Sequence, residues 1–153
     1  MTAAADISVV IPSYGRESVL VDTLTMLLAL PSKPGEILII DQTPCHEAST
    51  GAALGGWLDV GAIRLTMLSP PSTPRALNLG LFQAVNPYVL FLDDDIVPDK
   101  DLVAAHARAL GEADAMGIWC LAGQVLQPGQ TPIDPATWTH SWFPFHSNQR
   151  QIV

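Results

Sequence analysis

Compact runs of apolar residues alternate along the chain with segments in which apolar residues recur every three or four positions. The first pattern is typical of strands buried on both faces, and the second of amphipathic helices. In the third helix, Leu77, Leu81 and Val85 are expected to form the apolar side. This alternation predicts an α/β fold with a mostly parallel sheet flanked by helices. The predicted strands are 7–11, 36–41, 63–68, 88–92 and 117–126, and the predicted helices are 16–30, 52–58, 75–85 and 100–113.

The alternation also predicts the order of the strands. In a doubly wound sheet the order is third, second, first, fourth, and it reverses between the first and fourth strands. Ligands bind outside the carboxyl ends of strands at such a reversal. The residues that follow the strands concerned are Pro12–Tyr14, Asp41 and the run Asp93–Asp95. We therefore expect these three segments to line one crevice.

The run Asp93–Asp95 places three carboxylates side by side with no basic residue among them. Adjacent negative charges repel one another unless a cation lies between them, and hard divalent cations prefer oxygen ligands. The alternative is a solvated acidic turn before a helix. The position of the run, directly after a buried strand, favours a ligand site.

Composition narrows the classes of partner. The 153 residues are 48% hydrophobic and 14% charged, which is typical of a folded globular domain. A net charge of −8, with seven Lys and Arg residues, argues against nucleic acid as a partner. Cys45 and Cys120 suggest neither a disulfide framework nor zinc spacing, so a cytoplasmic setting is expected. The N-terminal residues lack the positive region of a signal peptide, and no apolar run approaches the roughly 18 residues that a span needs, so neither a signal peptide nor a membrane span is expected.

Four segments have a characteristic order and spacing. They are Val9–Tyr14 with Arg16, Ile39–Asp41, Arg75–Gly80, and Phe91–Asp95 with Pro98. Together they resemble the nucleotide-sugar-binding half of family 2 glycosyltransferases, over about residues 6–126. The resemblance implies the GT-A fold and an enzyme, typically inverting, that uses a nucleotide diphosphate sugar. The implied nucleotide is most often UDP, and the acceptor is unknown.

The resemblance also implies roles for residues near the base and the phosphates. Pro12, Tyr14 and Arg16 would border the nucleotide, and Asp41 would accept a hydrogen bond from the base. Arg75 would lie near the base or the phosphates, although two residues separate it from Asn78 where relatives have none. A surface salt bridge remains the alternative for Arg75. The motif formed by Asn78 and Gly80 would mark the point where a helix approaches the nucleotide, and a packing notch is the alternative.

The same resemblance implies a metal site in the acidic run. Asp93 or Asp94 would hold the ribose. Asp95, together with Asp93, would bind Mg²⁺ or Mn²⁺ that bridges the diphosphate. Such an ion stabilises the charge on the departing nucleoside diphosphate.

The end of the sequence offers less of the family pattern. Residues 127–153 are Pro- and Trp-rich and follow the nucleotide-binding domain, 1–126, as the expected start of a largely missing acceptor-binding region. An inverting enzyme needs a general base, for which Asp134 is the candidate. His140 and His146 are candidate metal ligands. Four aromatic residues lie close together in this segment, and three roles stay open for them: stacking on an acceptor sugar, packing against the core, or forming an exposed patch. They are Trp138, Trp142, Phe143 and Phe145.

Two functions therefore stay open. The first is a glycosyltransferase, and the second is a non-catalytic nucleotide-binding or interaction domain of the same fold. A homo-oligomer and a peripheral position at the inner face of a membrane are further open expectations.

Overall fold

Four of the predicted strands form one parallel sheet in the computed structural model, which describes residues 2–132. They are β1 (Ile7–Ser13), β2 (Glu36–Asp41), β3 (Arg64–Met67) and β4 (Tyr88–Phe91). Their order is β3-β2-β1-β4, and every neighbouring pair is parallel. The predicted α/β class and the predicted strand order are both confirmed.

Helices follow the strands as the hydrophobic spacing predicts. They are α1 (Ser18–Leu28), α2 (Ala48–Asp59), α3 (Thr73–Gln83) and α4 (Leu102–Ala115). At the start of α3, Pro74 lies in the first turn, where a backbone N–H has no partner within the helix and its absence costs nothing. Each described helix therefore matches a predicted one, with ends that differ by a few residues.

β1 lies between β2 and β4, and Ile7–Ile11 are fully buried. Because successive strand residues point to opposite faces, both faces of the sheet are covered. Pro12 continues the strand beyond its predicted end. The N–H of Leu92 donates to the carbonyl of Val10 at 3.0 Å, so the backbone of Val10, and by alternation that of Pro12, faces the β4 side. Since β4 ends at Phe91, opposite Val10, Pro12 removes no hydrogen bond from the ladder.

α3 packs closely on one face of the sheet. Ala76 joins a buried cluster with Val10, Leu38 and Ile40. Gly80 approaches β1 so closely that an added Cβ would lie 2.2 Å from Cγ1 of Val10. The missing side chain at Gly80 is therefore what allows the helix backbone to rest on the strand.

The predicted apolar side of this helix is wrong. Leu81 and Val85, which were expected to face the sheet, are exposed, and Phe82 is 88% exposed. Small residues, above all Gly80, form the buried side because the helix axis lies too near the sheet for large side chains. Hydrophobic spacing alone does not reveal a contact made through a glycine.

β4 forms one edge of the sheet and is half-exposed along its length. The N–H of Leu92 points to β1, so alternation directs the N–H groups of Val89 and Phe91 away from β1. Within residues 2–132, no further strand pairs with that side. This open edge begins immediately before the acidic run.

The predicted strand at 117–126 is wrong. No regular element follows α4 among the described residues. An apolar run forms a stable strand only with a neighbour to pair with, and none of the described strands pairs with this run. Several of its apolar side chains are exposed instead: Ile118, Trp119, Val125 and Leu126.

The described residues divide after Arg108 into two compact units. The first unit contains the sheet and α1–α3. The candidate base Asp134, the two late histidines His140 and His146, and the aromatic cluster at 138–145 lie outside the described residues. Within residues 2–132, no helix combines the length and the apolar character that crossing a bilayer requires.

Candidate functional site

The carboxyl ends of β1, β2 and β4 meet at one edge of the sheet. Ser13, which ends β1, is paired with Asp41, which ends β2. On the other side of β1, Phe91 lies opposite Val10. Continuing that register by three residues brings Asp94 beside Ser13. The strand order therefore gathers the polar residues that follow three separate strands.

Asp94 is the buried member of the acidic run. Its Oδ2 accepts a hydrogen bond from Ser13 Oγ at 2.7 Å, and its Oδ1 lies 3.4 Å from Nε of Arg16. The hydroxyl of Thr23 donates to the carbonyl of Asp94 at 3.0 Å and to that of Ile96 at 3.2 Å. Ser13 and Arg16 compensate for burying the carboxylate, and Thr23 satisfies carbonyl groups of the turn. Asp94 therefore fastens the acidic run to β1 and α1.

Asp93 and Asp95 are exposed on either side of Asp94. Nη2 of Arg16 donates to Oδ2 of Asp95 at 3.1 Å, so one guanidinium offsets part of the negative charge of the run. Within residues 2–132, no three His, Cys, Asp or Glu side chains form a complete ligand cage. Mg²⁺ is commonly held by one or two carboxylates, with phosphate and water as the other ligands. Two exposed carboxylates fit that donor set.

A second cluster of ionisable groups lies at the end of β2. Asp41 is 0% exposed, and its Oδ1 accepts the N–H of Thr43 at 2.9 Å. Its Oδ2 lies 2.6 Å from Nε2 of His46. The other ring nitrogen, Nδ1, lies 3.1 Å from Oε1 and 3.3 Å from Oε2 of Glu17. One imidazole thus bridges two carboxylates from different elements.

The bridge changes the acidity of its members. Burial alone would lower the pKa of His46, but its hydrogen bonds to Asp41 and Glu17 outweigh burial and raise the pKa above its usual 6.5. A hydrogen bond from the hydroxyl of Thr50 lowers the pKa of Glu17, and the contact with His46 lowers it further. Both shifts favour a charged ring between two ionised carboxylates.

The loops after β1 and β2 are bonded to each other. The N–H of Gly15 donates to Oγ1 of Thr43 at 2.9 Å, and the N–H of Gln42 donates to the carbonyl of Ser13 at 2.9 Å. Oε1 of Gln42 accepts the N–H of Ser72 at 2.6 Å, which ties the start of α3 to the same loops. Gly15 has φ of 65°, a left-handed conformation that glycine adopts without strain. The edge of the sheet is therefore bordered by a connected set of loops.

The remaining predicted site residues are more exposed. Tyr14 is 57% exposed directly after β1, and Pro12 is partly exposed within that strand. Arg75 and Asn78 lie exposed on α3, and Nη1 of Arg75 donates to the carbonyl of Pro70 at 3.2 Å. No hydrogen bond or ion pair between described residues joins Arg75 or Asn78 to the acidic run.

Sequence reasoning missed Thr23, Glu17 and His46. Thr23 lies within a helix and carries no special signal. Glu17 stands at the start of α1, and His46 follows the strand-end Asp41 by five positions. An ionisable residue so near the end of a buried strand is a usable signal, because the strand order already placed that end at the ligand edge.

A family model described as Glycosyl transferase family 2 matches residues 8–151. No curated protein resembles the sequence closely enough to count as a match. The matched range includes the loops after β1 and β2, the acidic run and the cluster around His46.

Three solved structures resemble the fold. S. aureus TarS has a TM-score of 0.57 at 23% identity, over 71% of this chain and 20% of that chain. TarS 1-349 in complex with UDP gives 0.57 at 23%, over 71% of this chain and 32% of that chain. Mannosyltransferase PcManGT from Pyrobaculum calidifontis, in complex with GDP-Man and Mn²⁺, gives 0.54 at 19%, over 70% of this chain and 34% of that chain. The chain thus corresponds to between a fifth and a third of these proteins, and the likeness is one of fold.

Proposed function

The chain belongs to glycosyl transferase family 2 and has the GT-A fold, and from this we propose that it binds a nucleotide diphosphate sugar for transfer to an acceptor. We further propose that UDP is the nucleotide. The observation that carries the proposal is the acidic run at the carboxyl edge, anchored through Asp94 while Asp93 and Asp95 stay exposed. An anchored backbone with exposed carboxylates suits the binding of a charged ligand.

A divalent cation is the proposed partner of those carboxylates. Asp95 and Asp93 would hold Mg²⁺ or Mn²⁺, which when bound supplies positive charge to the departing nucleoside diphosphate. Arg16 keeps a further positive charge in the same run, beside Asp94 and Asp95. Fixed charges of this kind lower the energy of a transition state in which negative charge develops.

The remaining residues are proposed to contact the nucleotide itself. Pro12 and the exposed ring of Tyr14 offer apolar surface to the base. Asp41 stays a predicted acceptor for the base, which would have to share an oxygen that Thr43 or His46 already uses. Arg75 and Asn78 likewise stay predictions.

Ligands of the similar structures support this choice of ligand class. TarS 1-349 was crystallised with UDP-GlcNAc and with UDP, and PcManGT with GDP-Man and Mn²⁺. The two proteins hold different bases, so the base is the part of the proposal that most needs measurement.

Calorimetry with UDP, GDP, TDP and CDP, each with and without Mn²⁺ or Mg²⁺, tests the proposal. We expect UDP to bind most tightly and only with the metal, because the acidic run repels an unaccompanied diphosphate. Asp95→Asn should weaken metal-dependent binding by at least about tenfold, equivalent to roughly 1.4 kcal/mol.

Asp59→Asn is the matched control, because it removes one exposed carboxylate at the far end of α2. It should bind UDP as the unaltered protein does. Equal losses in the two variants would indicate a general charge effect and not a site. The absence of metal-dependent binding by all four nucleotides would contradict the proposed function.

The alternative is a domain that binds the nucleotide without transferring sugar. One observation favours it: Asp99 and Asp101, which follow the run and are of a residue type that can serve as a general base, are exposed, and neither bonds to the site among the described contacts. An assay of UDP-sugar hydrolysis, in which the released UDP is measured, separates the two functions. Turnover supports the transferase, and metal-dependent binding without turnover supports the alternative.

A further inference from the structure

The ring of His46 meets a carboxylate at each nitrogen. Nε2 lies 2.6 Å from Asp41 and Nδ1 lies 3.1 Å from Glu17. Ionised carboxylates only accept hydrogen bonds, so both nitrogens must donate. Only the imidazolium form has two N–H groups. When both carboxylates are ionised, the two contacts therefore need a charged ring, and the raised pKa of His46 agrees with them.

This ring connects three elements around the loop 42–47. Asp41 ends β2 and also holds the N–H of Thr43. Glu17 stands at the start of α1, and its Oε2 accepts the N–H of Glu47, the residue before α2, at 3.3 Å. Both ends of the loop are thus bonded to carboxylates that His46 holds. The same loop reaches the turn after β1 through Thr43 and Gly15.

No competing cation contacts the bridge among the described residues. The charged groups that face the ring are Asp41 and Glu17, and the exposed Glu47 is its neighbour in sequence. The guanidinium of Arg16 is bonded to the acidic run. Loss of the ring proton would therefore leave a nitrogen lone pair against a carboxylate, with nothing to replace the lost bond.

We propose that His46 is a positioning residue of the nucleotide site, which as an imidazolium clasps Asp41 and Glu17 and so fixes the loop 42–47 beside the ligand. The inference rests on the proposed function of that site. When the ring loses its proton, one of the two bonds is lost and the loop loosens. Nucleotide affinity is therefore expected to fall as the pH rises through the pKa of His46.

Glu17→Gln separates the clasp from the charge of the ring. The amide of glutamine can donate to Nδ1 of a neutral imidazole, while Nε2–H still donates to Asp41. The clasp then needs no second proton. His46→Gln is the second variant, because an amide in place of the ring would turn its acceptor oxygen toward one of the two carboxylates, and it should bind weakly at every pH.

The first measurement uses the ligand-free protein. NMR titration should show the ring of His46 and the amide of Thr43 changing together, with a midpoint above the usual 6.5. In Glu17→Gln that midpoint should move down. A ring that titrates at its ordinary pKa, or a Thr43 amide that does not follow it, would overturn the clasp.

The second measurement is the affinity for UDP with Mg²⁺ across the same titration. For each unit by which UDP binding raises the pKa of the His46 ring, the affinity of the unaltered protein for UDP should fall about tenfold across the titration. The affinity of Glu17→Gln should change about twofold or less over the same range. The titration of UDP itself is common to both proteins, so the difference between them decides. Identical profiles would overturn the inference. If neither protein binds UDP at any pH, the proposed function fails, and with it the role in positioning, while the ring titration still shows whether the clasp exists.

Discussion

Thr23 illustrates how one buried hydroxyl can hold a loop in place. It donates to the carbonyls of Asp94 and Ile96, two residues of the turn that carries the acidic run. Turn carbonyls that lose a buried partner have no water to replace it. The position of the exposed carboxylates therefore depends on a buried residue of α1.

Thr23→Val keeps the shape of this side chain and removes both hydrogen bonds. We expect the free energy of unfolding to fall by about 1–3 kcal/mol, since the carbonyls of Asp94 and Ile96, the first of them buried, lose the donor that they share. Urea unfolding measures the change. Thr25→Val is the control on the same helix, because Thr25 is exposed and bonds only to Val21 of its own helix. A similar loss in both variants would indicate helix propensity and not anchoring of the turn.

At the level of residues, the sequence revealed the acidic run but not its internal division of roles. Nothing in three successive aspartates distinguishes Asp94, which is buried against Ser13, from its exposed neighbours. That difference arises from the register between β1 and β4. The contact of His46 with Glu17 was equally hidden, since it joins positions 29 residues apart.

At the level of elements, the strands were the most predictable part of the chain. Ile37–Ile40 is a continuous apolar run, and Ile7–Ile11 is interrupted only by Ser8, because both segments are buried on both faces; such runs are conspicuous. Gly80 shows the limit of this reasoning. Its contact with Val10 depends on how close two elements lie, which no pattern along one element encodes.

Gly80→Ala tests that close approach. An added methyl group would lie 2.2 Å from Cγ1 of Val10, so α3 must shift away from β1. We expect the free energy of unfolding to fall by about 1–3 kcal/mol despite the better helix propensity of alanine. Thermal or urea unfolding measures it.

Gly55→Ala is the matched control in α2, where an added Cβ meets nothing within 4 Å. Here alanine should stabilise the protein by about 0.5–1 kcal/mol. Opposite signs at the two positions support flush packing of α3. Stabilisation by both substitutions would show that α3 tolerates a wider separation from the sheet.

At the level of the whole molecule, two part-buried polar networks make stability depend on pH. Burial raises the pKa of Glu36, but hydrogen bonds from Ser8 and the N–H of Val85, together with Arg64, outweigh it and lower the pKa below 4.5. The contribution of Glu36 to the free energy of unfolding is complete above pH 4.5 and is lost as the pH falls through the lowered pKa. His46 behaves in the opposite sense: its contribution is complete below pH 6.5 and is lost as the pH rises through the raised value.

The free energy of unfolding should therefore be largest between pH 4.5 and 6.5. Urea unfolding across the pH range measures this optimum. Glu36→Gln should flatten the acidic side of the curve and leave the side above pH 6.5 unchanged. His46→Gln should flatten the side above pH 6.5 and change the acidic side only through Glu17, whose pKa the ring helps to lower. A free energy of unfolding that keeps rising above pH 6.5, through the raised pKa of the ring, would contradict the prediction.

The open side of β4 has a consequence for how the acidic run is enclosed. Val89 and Phe91 point their N–H groups away from β1, so a backbone that lies alongside them would extend the sheet by one strand. The run that follows β4 would then lie in a furrow with a second wall. β1 and β2 form the side of this furrow that borders the proposed nucleotide site. The opposite side would be formed by whichever polypeptide segment pairs with β4. The two sides of the furrow can therefore vary independently, and the sheet described here determines only the side formed by β1 and β2.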